Sequence, residues 1–209
     1  MNREGFHVNT ELSAPLAPVS VPAAAAASAS PWLRTTGIVI GGSALASICA
    51  HISVPLYFTP VPLSLATFSV LLLGLLLSPR MAAATFCAYL AEGALGLPVF
   101  APTALASSGL VHLLGPTGGY LLAYPLAAAL IAYLWHRTGR GFSAALIGAA
   151  AGSMTILICG GLWLAVLTQA AFQSVLTLAV LPFLAGDTLK IAAAAALAVQ
   201  FQRLRRRIS

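Results

Sequence analysis

The chain has 209 residues, of which 60% are hydrophobic and 7% are charged, and its formal net charge is +6. Soluble domains carry roughly 25% charged residues, so this composition excludes a water-soluble globule and predicts an all-α integral membrane protein in the lipid bilayer. The positive charge does not indicate nucleic-acid binding, because four of the ten basic residues are crowded into the last seven positions and no basic stripe contains interleaved aromatic residues.

The N-terminal stretch, residues 1–33, is rich in alanine, proline and serine. This composition predicts a disordered cytoplasmic leader. A cleaved signal peptide is the alternative, since short apolar runs and small residues are present, but a clean apolar core after a basic start is missing. Residues 34–202 then form the predicted membrane domain, and residues 203–209 form a basic cytoplasmic tail.

Six apolar stretches predict six transmembrane helices, at about residues 36–56, 63–77, 81–97, 117–134, 142–167 and 183–201. Spans of about 17–25 residues suit a hydrocarbon core of about 30 Å, so the second stretch is expected to extend into its flanks. Between them, three prolines break the chain in 55–62, a long loop with one short helix is predicted for 99–116, and a loop or broken helix for 168–182.

The distribution of arginine predicts the topology. If six spans cross the membrane in alternating directions, all arginines of the loops fall on one side: Arg34, Arg80, Arg137, Arg140 and the C-terminal cluster. The loops on the opposite side contain no lysine or arginine. By the positive-inside rule, both termini are predicted to be cytoplasmic. The expected location is therefore the cell membrane, as a multi-pass protein of a bacterial inner membrane.

The first predicted span carries a stripe of small residues. Gly42, Ala46 and Ala50 follow one another at a spacing of four residues. Such a smooth face lets another helix approach closely. Packing inside the same bundle and contact with a partner subunit both remain open.

The last predicted span opens with LPFLAGDTLK, residues 181–190, which contains the only lysine of the chain, Lys190, and the only acid after Glu92, Asp187. An ionisable residue inside a transmembrane segment is a functional hypothesis by default. On the predicted topology Asp187 lies about 7–8 Å below the outer end of its helix, at 1.5 Å per residue, and Glu92 lies at a similar depth. The three residues predict a pocket that opens to the outside.

A carboxylate offers only acceptors and an ammonium only donors, so Asp187 and Lys190 suit a small ligand with N–H donors and a carbonyl or carboxylate, for example a ureido group. The structural alternative is an ion pair that helps the bundle pack, although such a pair gains little stability over apolar residues. Glu92 could join the pocket, pair with a cation, or stay protonated.

A second constellation is LLGPTGGYLLAYP, residues 113–125. Gly118 and Gly119 permit close approach of a ligand, Thr117 is a predicted N-cap of the fourth span, and Tyr120 offers an aromatic ring with a polar tip. The alternative is an ordinary helix-start turn with an aromatic residue at the membrane interface.

Catalytic and metal-binding patterns are missing from the sequence. It contains no nucleophile elbow, HExxH motif or P-loop, so we expect no enzyme activity, catalytic residue, cofactor or metal site. If transport is driven by ATP, another subunit must hydrolyse it. A structural membrane protein without a small ligand remains a further alternative.

Five motifs in fixed order carry a family resemblance: TPVPLSLATF (59–68), LLLGLLLSPR (71–80), GALGLPVFA (93–101), LLGPTGGYLLAYPLAA (113–128) and LPFLAGDTLK (181–190). With these, residues 60–202 resemble the BioY family, the biotin-specific S-components of energy-coupling-factor (ECF) vitamin transporters. The resemblance implies the six-helix S-component fold and capture of biotin from outside. It also implies partnership with a transmembrane T-component and two ABC-type ATPases, although the protein could also work alone.

The resemblance also implies site residues. Biotin-contact positions of the family match Asp187, Lys190, the turn 115–120 and the loop after the third span, residues 98–114, which includes Phe100. The contact with the T-component matches the Ala46–Ala50 stripe. The chain departs from the family at three places: Ala66 stands where glutamine is usual, APTALASSG (101–109) replaces a glycine-rich loop, and Glu92 stands at a position expected to be apolar or small. The altered loop favours the alternative of an S-component or solitary transporter for another small vitamin-like ligand.

Overall fold

The computed structural model describes residues 30–57, 59, 61–102, 109–169 and 171–208. Most of the predicted leader (1–29) and of the altered loop (103–108) lies outside the described residues, so the predictions made for them stay predictions. The chain divides after Ser30, and the fold described below belongs to the unit that begins at Pro31.

The described residues are mostly helical, as predicted, and contain one small sheet. In chain order the elements are α1 (Pro31–His51), β1 (Ser53–Val54), β2 (Leu63–Ser64), α2 (Ala66–Leu76), α3 (Pro79–Ala94), α4 (Leu110–Leu114), α5 (Gly118–Arg137), α6 (Phe142–Thr168), α7 (Phe172–Ala179) and α8 (Leu181–Ile208). Within the described ranges, α1, α5, α6 and α8 are long and apolar enough to cross a membrane, and α2 is a shorter apolar helix.

Several boundaries differ from the predicted ones. α1 starts at Pro31, inside the predicted leader, and α8 continues through the basic tail to Ile208. Arginine is a good helix former, and cations in a last helical turn interact favourably with the helix dipole, so the tail extends the helix instead of ending it. The predicted short helix in 99–116 is α4, and 168–182 is a broken helix formed by α7 and the start of α8.

The proline-rich break after α1 contains a small antiparallel sheet that the sequence did not predict. Ser53 pairs with Ser64, and Val54 pairs with Leu63. Strands of two residues are too short to produce an alternating pattern, so only the break could be predicted.

Helix α5 lies at the centre of the bundle and packs against α2, α3 and α6, while α8 packs against α2 and α6. Small residues make these contacts close. Ile131 of α5 is fully buried. A Cβ atom added to Gly74 of α2 would lie 2.9 Å from its side chain, and one added to Gly152 of α6 would lie 2.3 Å from it. This close approach of backbones is typical of membrane helices, where packing replaces the hydrophobic effect between spans.

The small-residue stripe of α1 faces into this bundle. Ala46 and Ala50 are 1% and 0% exposed, and a Cβ atom added to Gly42 would lie 2.6 Å from Cγ2 of Thr85 in α3. At these three residues the structure shows the alternative, packing inside the bundle. Their burial gives no support to the contact with a T-component, which stays a prediction.

The stripe predicts different costs for two neighbouring substitutions in α1. Gly42→Leu forces a large side chain against Thr85, and overpacking of this kind costs about 1–3 kcal/mol of stability. Gly41→Leu is the matched control, because no atom lies within 4 Å of its added Cβ. Thermal unfolding of the detergent-purified protein should show a lower midpoint for Gly42→Leu only. Equal midpoints would mean that Gly42 does not pack against α3.

Candidate functional site

A cavity lies at the end of the bundle where α3 and α6 end and where α5 and α8 begin. The space not filled by atoms in it is about 570 Å³, counted with its open mouth. Its lining is Val61, Pro62, Ser64, Ala66, Thr67, Tyr89, Ala101, His112, Thr117, Tyr120, Leu121, Tyr124, Ile156, Leu157, Phe183, Asp187 and Lys190. The β2 segment, the loop after α3, the turn before α5 and the helices α2, α3, α4, α5, α6 and α8 thus contribute to one site.

The two charges of α8 meet in this lining. Asp187 Oδ1 and Lys190 Nζ are 3.2 Å apart, on one face of the helix, and the residues are 5% and 7% exposed. The structure therefore places both predicted residues in one cavity, in contact with each other.

Two hydroxyl groups from other helices form hydrogen bonds with the pair. Lys190 Nζ donates a hydrogen bond to Thr67 Oγ1 of α2 at 2.8 Å, and Ser153 Oγ of α6 donates to Asp187 Oδ2 at 2.6 Å. Removing a charge from water costs several kcal/mol, so buried ion pairs need such additional hydrogen bonds. The pair consequently links α2, α6 and α8 at one level of the bundle.

The pair keeps hydrogen-bonding capacity for a ligand. Each carboxylate oxygen of Asp187 can accept two hydrogen bonds. Among the described residues, Oδ1 accepts one from Lys190 and Oδ2 accepts one from Ser153, so each oxygen can accept one more. Lys190 has three N–H donors and uses two of them, for Asp187 and Thr67. A ligand in the cavity can therefore find both acceptors and a donor at the same place.

Aromatic side chains form much of the remaining wall: Tyr89, Tyr120, Tyr124 and Phe183. The rings of Tyr89 and Tyr124 are stacked with centroids 6.4 Å apart, and those of Tyr120 and Phe183 are 6.2 Å apart. Tyr89 also donates a hydrogen bond to the carbonyl oxygen of Val99 at 3.1 Å, which ties the loop after α3 to the wall. Such a wall suits a flat apolar ligand that has a few polar groups.

The glycine turn before α5 contributes two of its predicted residues to the lining, Thr117 and Tyr120. Thr117 is the N-cap residue of α5, as predicted, but its side chain makes no capping hydrogen bond, and the residue lines the cavity. The ring of Tyr120 lies directly on Gly160 of α6, where an added Cβ would be 2.2 Å from the ring.

Gly118 and Gly119 do not line the cavity, and their contact with a ligand stays a prediction. A Cβ atom added to Gly118 would lie 1.9 Å from the carbonyl oxygen of Leu113, and one added to Gly119 would lie 2.1 Å from Cβ of Trp163. Trp163 of α6 in turn donates a hydrogen bond to the carbonyl oxygen of Gly115 at 2.9 Å. The glycines are needed for packing, which holds the turn against α6 and so positions the lining residues.

Phe100 also lies outside the lining. It is 7% exposed, and its ring covers Gly93 and packs against Tyr89 and His112, with centroids 5.3 Å and 5.0 Å away. Both of these neighbours line the cavity. Phe100 therefore supports the wall from behind, and its contact with a ligand stays a prediction.

Glu92 lies at the contact between α3 and α1, away from the cavity. Its Oε2 accepts a hydrogen bond from Oγ of Ser43, a fully buried residue of α1. Of the possibilities left open for Glu92, the structure does not place it in the pocket, and its partner is a hydroxyl group instead of a cation. Glu92 and Tyr89 lie on different faces of α3. The face with Glu92 is turned to α1, whereas the face with Tyr89 lines the cavity.

Several residues of the site were not predicted. His112 is 5% exposed in the cavity wall, and burial lowers the pKa of its ring below the usual 6.5, so it is neutral at pH 7. Thr67 and Tyr124 stand in motifs that had been noticed, but no pattern singled them out. Ser153 lies in an apolar span without any motif.

Comparison with known proteins gives consistent findings. The model of the BioY family matches residues 19–207. A protein of Pyrococcus horikoshii named probable biotin transporter BioY is 41% identical over 159 residues, which cover 76% of this chain and 90% of that protein. The biotin transporter BioY of Thermotoga maritima is 32% identical over 162 residues, covering 78% and 92% of the two chains.

A solved structure has the same fold. It is described as the S-component for biotin from an ECF-type ABC transporter, and it matches with a TM-score of 0.74 and 24% identity over 82% of this chain and 92% of that one. The helical bundle described above is therefore the S-component fold.

The hydrogen bond from Ser153 to Asp187 predicts a loss of stability on its removal. Ser153→Ala leaves a buried carboxylate oxygen without its hydroxyl donor, at a cost of about 1–3 kcal/mol. Ser143→Ala is the matched control on the same helix, because Ser143 is exposed. Thermal unfolding should separate the two variants. An unchanged midpoint for Ser153→Ala would show that the hydroxyl does not stabilise the buried charge.

Proposed function

The chain belongs to the BioY family, and on that premise we propose that it is a biotin uptake protein that captures biotin from outside and passes it to the cytoplasm. The observation that carries the proposal is the buried Asp187–Lys190 pair, which lines a cavity and still has acceptor and donor positions for a ligand. A structural membrane protein would gain little from such a pair.

The chemistry of biotin fits this arrangement. Its ureido group has two N–H donors and one carbonyl acceptor. Asp187 accepts the N–H groups, and the third N–H of Lys190 donates to the ureido oxygen while the other two hold Asp187 and Thr67. The fused rings of biotin then pack on the aromatic wall of Tyr89, Tyr120, Tyr124 and Phe183.

Six helices cross the membrane in this proposal: α1, α2, α3, α5, α6 and α8. Helix α2 has 11 residues and is about 16 Å long, so the segments on either side of it complete its crossing. Arginines lie in the α2–α3 turn, in the α5–α6 turn and at the end of α8. Because arginine is enriched on the cytoplasmic side of membrane proteins, this distribution supports a cytoplasmic location of both termini in a bacterial inner membrane.

The proposed partners for transport are a T-component and two ABC-type ATPases, because the chain has no P-loop pattern for ATP hydrolysis. Uptake by the chain alone is the alternative. A T-component that contacts α1 meets Gly37 and Gly41 on its exposed face, whereas Gly42, Ala46 and Ala50 are buried.

A second candidate ligand is another small vitamin-like molecule. The observation that favours it is Ala66, which lines the cavity at a position where the family often has glutamine. A hydrogen-bonding side chain is thereby replaced by a methyl group within reach of the ligand.

Biotin binding to the purified protein tests the proposal. Asp187→Asn removes the charged acceptor, and a hydrogen bond to a charged group contributes about 1.5–3 kcal/mol, so the affinity should fall by about tenfold or more. Thr188→Val is the matched control, because Thr188 is the next residue of α8 and is exposed. Undiminished affinity of Asp187→Asn would contradict the site. A different molecule found by native mass spectrometry in the purified protein would favour the alternative ligand.

A further inference from the structure

The short helix α4 buries a histidine while most of its apolar side chains stay outside. Leu110, Val111 and Leu114 are 63%, 60% and 64% exposed, whereas Leu113 and His112 are 9% and 5% exposed. A helix that only packed against α3 and α5 would bury its apolar residues and expose the histidine. Packing alone therefore does not explain why His112 is buried.

The imidazole ring of His112 lines the cavity and packs against Phe100, with ring centroids 5.0 Å apart. Among the residues that the structure describes, none forms a hydrogen bond with a ring nitrogen of His112. Buried polar groups in proteins nearly always have a hydrogen-bond partner, which is a protein group, a water molecule or a ligand. The ring nitrogens are thus available to a molecule in the cavity.

The other cation in the described lining, Lys190, has little capacity for a second polar group. Two of its three N–H groups are used by Asp187 and Thr67, and in the proposed function the third donates to the ureido oxygen. Biotin also has a carboxylate, at the end of the side chain that extends from its ring system. Among the described lining residues, His112 is the remaining one whose side chain can become positively charged.

His112 and the charged pair reach the cavity from different parts of the bundle. Helix α4, which carries His112, packs against α3 and α5, whereas α8, which carries the pair, packs against α2, α6 and α7. A ligand with the ureido group at one end and the carboxylate at the other can therefore contact both.

We propose that His112 binds the carboxylate of biotin and takes up a proton from water when it does so. This role of His112 rests on the proposed function, because it concerns the same ligand in the same cavity. The imidazolium group formed in this way donates an N–H to the carboxylate, so that each charged end of the bound ligand site is balanced by an opposite charge.

The uptake of a proton follows from the change of environment on binding. Without a ligand, burial lowers the pKa of the His112 ring below 6.5, because the charged form is disfavoured. A carboxylate in contact with the ring raises this pKa. The ligand-bound pKa is then higher than the ligand-free pKa. The additional affinity is fully present below the ligand-free pKa and is lost as the pH rises through the ligand-bound pKa.

Other titratable groups share the cavity with His112. They are Tyr89 of α3, Tyr120 and Tyr124 of α5, and Asp187 and Lys190 of α8. Residues 103–108, outside the described ranges, contain no titratable side chain. A comparison of two ligands that differ only at the carboxylate separates His112 from the groups that contact the ring system, because titration of those groups affects both ligands alike.

The affinities of the purified full-length protein for biotin and for biotinamide test the proposal. Biotinamide keeps the ring system and has an uncharged amide in place of the carboxylate. At about pH 5.5 biotin should bind at least about tenfold more tightly than biotinamide, since a hydrogen bond between charged groups is replaced by a neutral one. The ratio of the two affinities should fall by about tenfold towards about pH 8.5, where His112 loses its proton.

His112→Gln should make this ratio independent of pH and leave binding of biotinamide in place. His51→Gln is the matched control, because His51 is exposed and lies outside the lining, and it should keep the ratio of the wild-type protein at every pH.

Three results would overturn the role of His112 while biotin capture itself stands. They are equal affinities of the wild-type protein for the two compounds, a ratio that does not change with pH, and a pH dependence that persists in His112→Gln. The first two need only the wild-type protein, so they decide the matter even if the variant does not fold. Binding of neither compound to the wild-type protein would contradict the proposed function and the role of His112 with it.

Discussion

The hydrogen-bonded pair of Asp187 and Lys190 is the constraint on which the rest of the site depends. Two charges without water are tolerated only if their remaining donors and acceptors are used, and here Ser153 of α6 and Thr67 of α2 supply the partners. Three helices are therefore aligned at the level of the cavity. The pair lines the cavity and keeps unused hydrogen-bonding positions, so in the proposed function the group that organises the helices is also the group that binds biotin.

The walls around the pair depend on small residues. Gly118, Gly119 and Gly160 let the turn before α5 lie directly on α6, so that Tyr120 enters the lining. Gly93 has the same role for Phe100, which supports Tyr89 and His112 from behind. A cavity built by close packing in this way is largely formed before the ligand arrives, which reduces the cost of ordering on binding.

The sequence predicted the membrane-protein class, the family and the charged centre of the site, because apolar length, arginine distribution and an intramembrane charge pair are strong local signals. It did not predict that Thr67 and Ser153 bind the charged pair, because the sequence of an apolar span does not indicate which way a single hydroxyl group faces. The direction of a helix face also could not be read from the sequence. For Glu92 and the Ala46–Ala50 stripe several roles were left open, and the structure shows both in the packing of α1 against its neighbours.

Competition with ureido-modified ligands measures the central claim most directly. Dethiobiotin keeps the ureido group, whereas 2-iminobiotin replaces its oxygen by nitrogen and becomes cationic, so it offers no acceptor to Lys190 and places a charge beside the ammonium group. With radiolabelled biotin bound to the purified protein, the account predicts that dethiobiotin displaces the label and that 2-iminobiotin does not. Equal displacement by the two compounds would contradict recognition of the ureido group by Asp187 and Lys190.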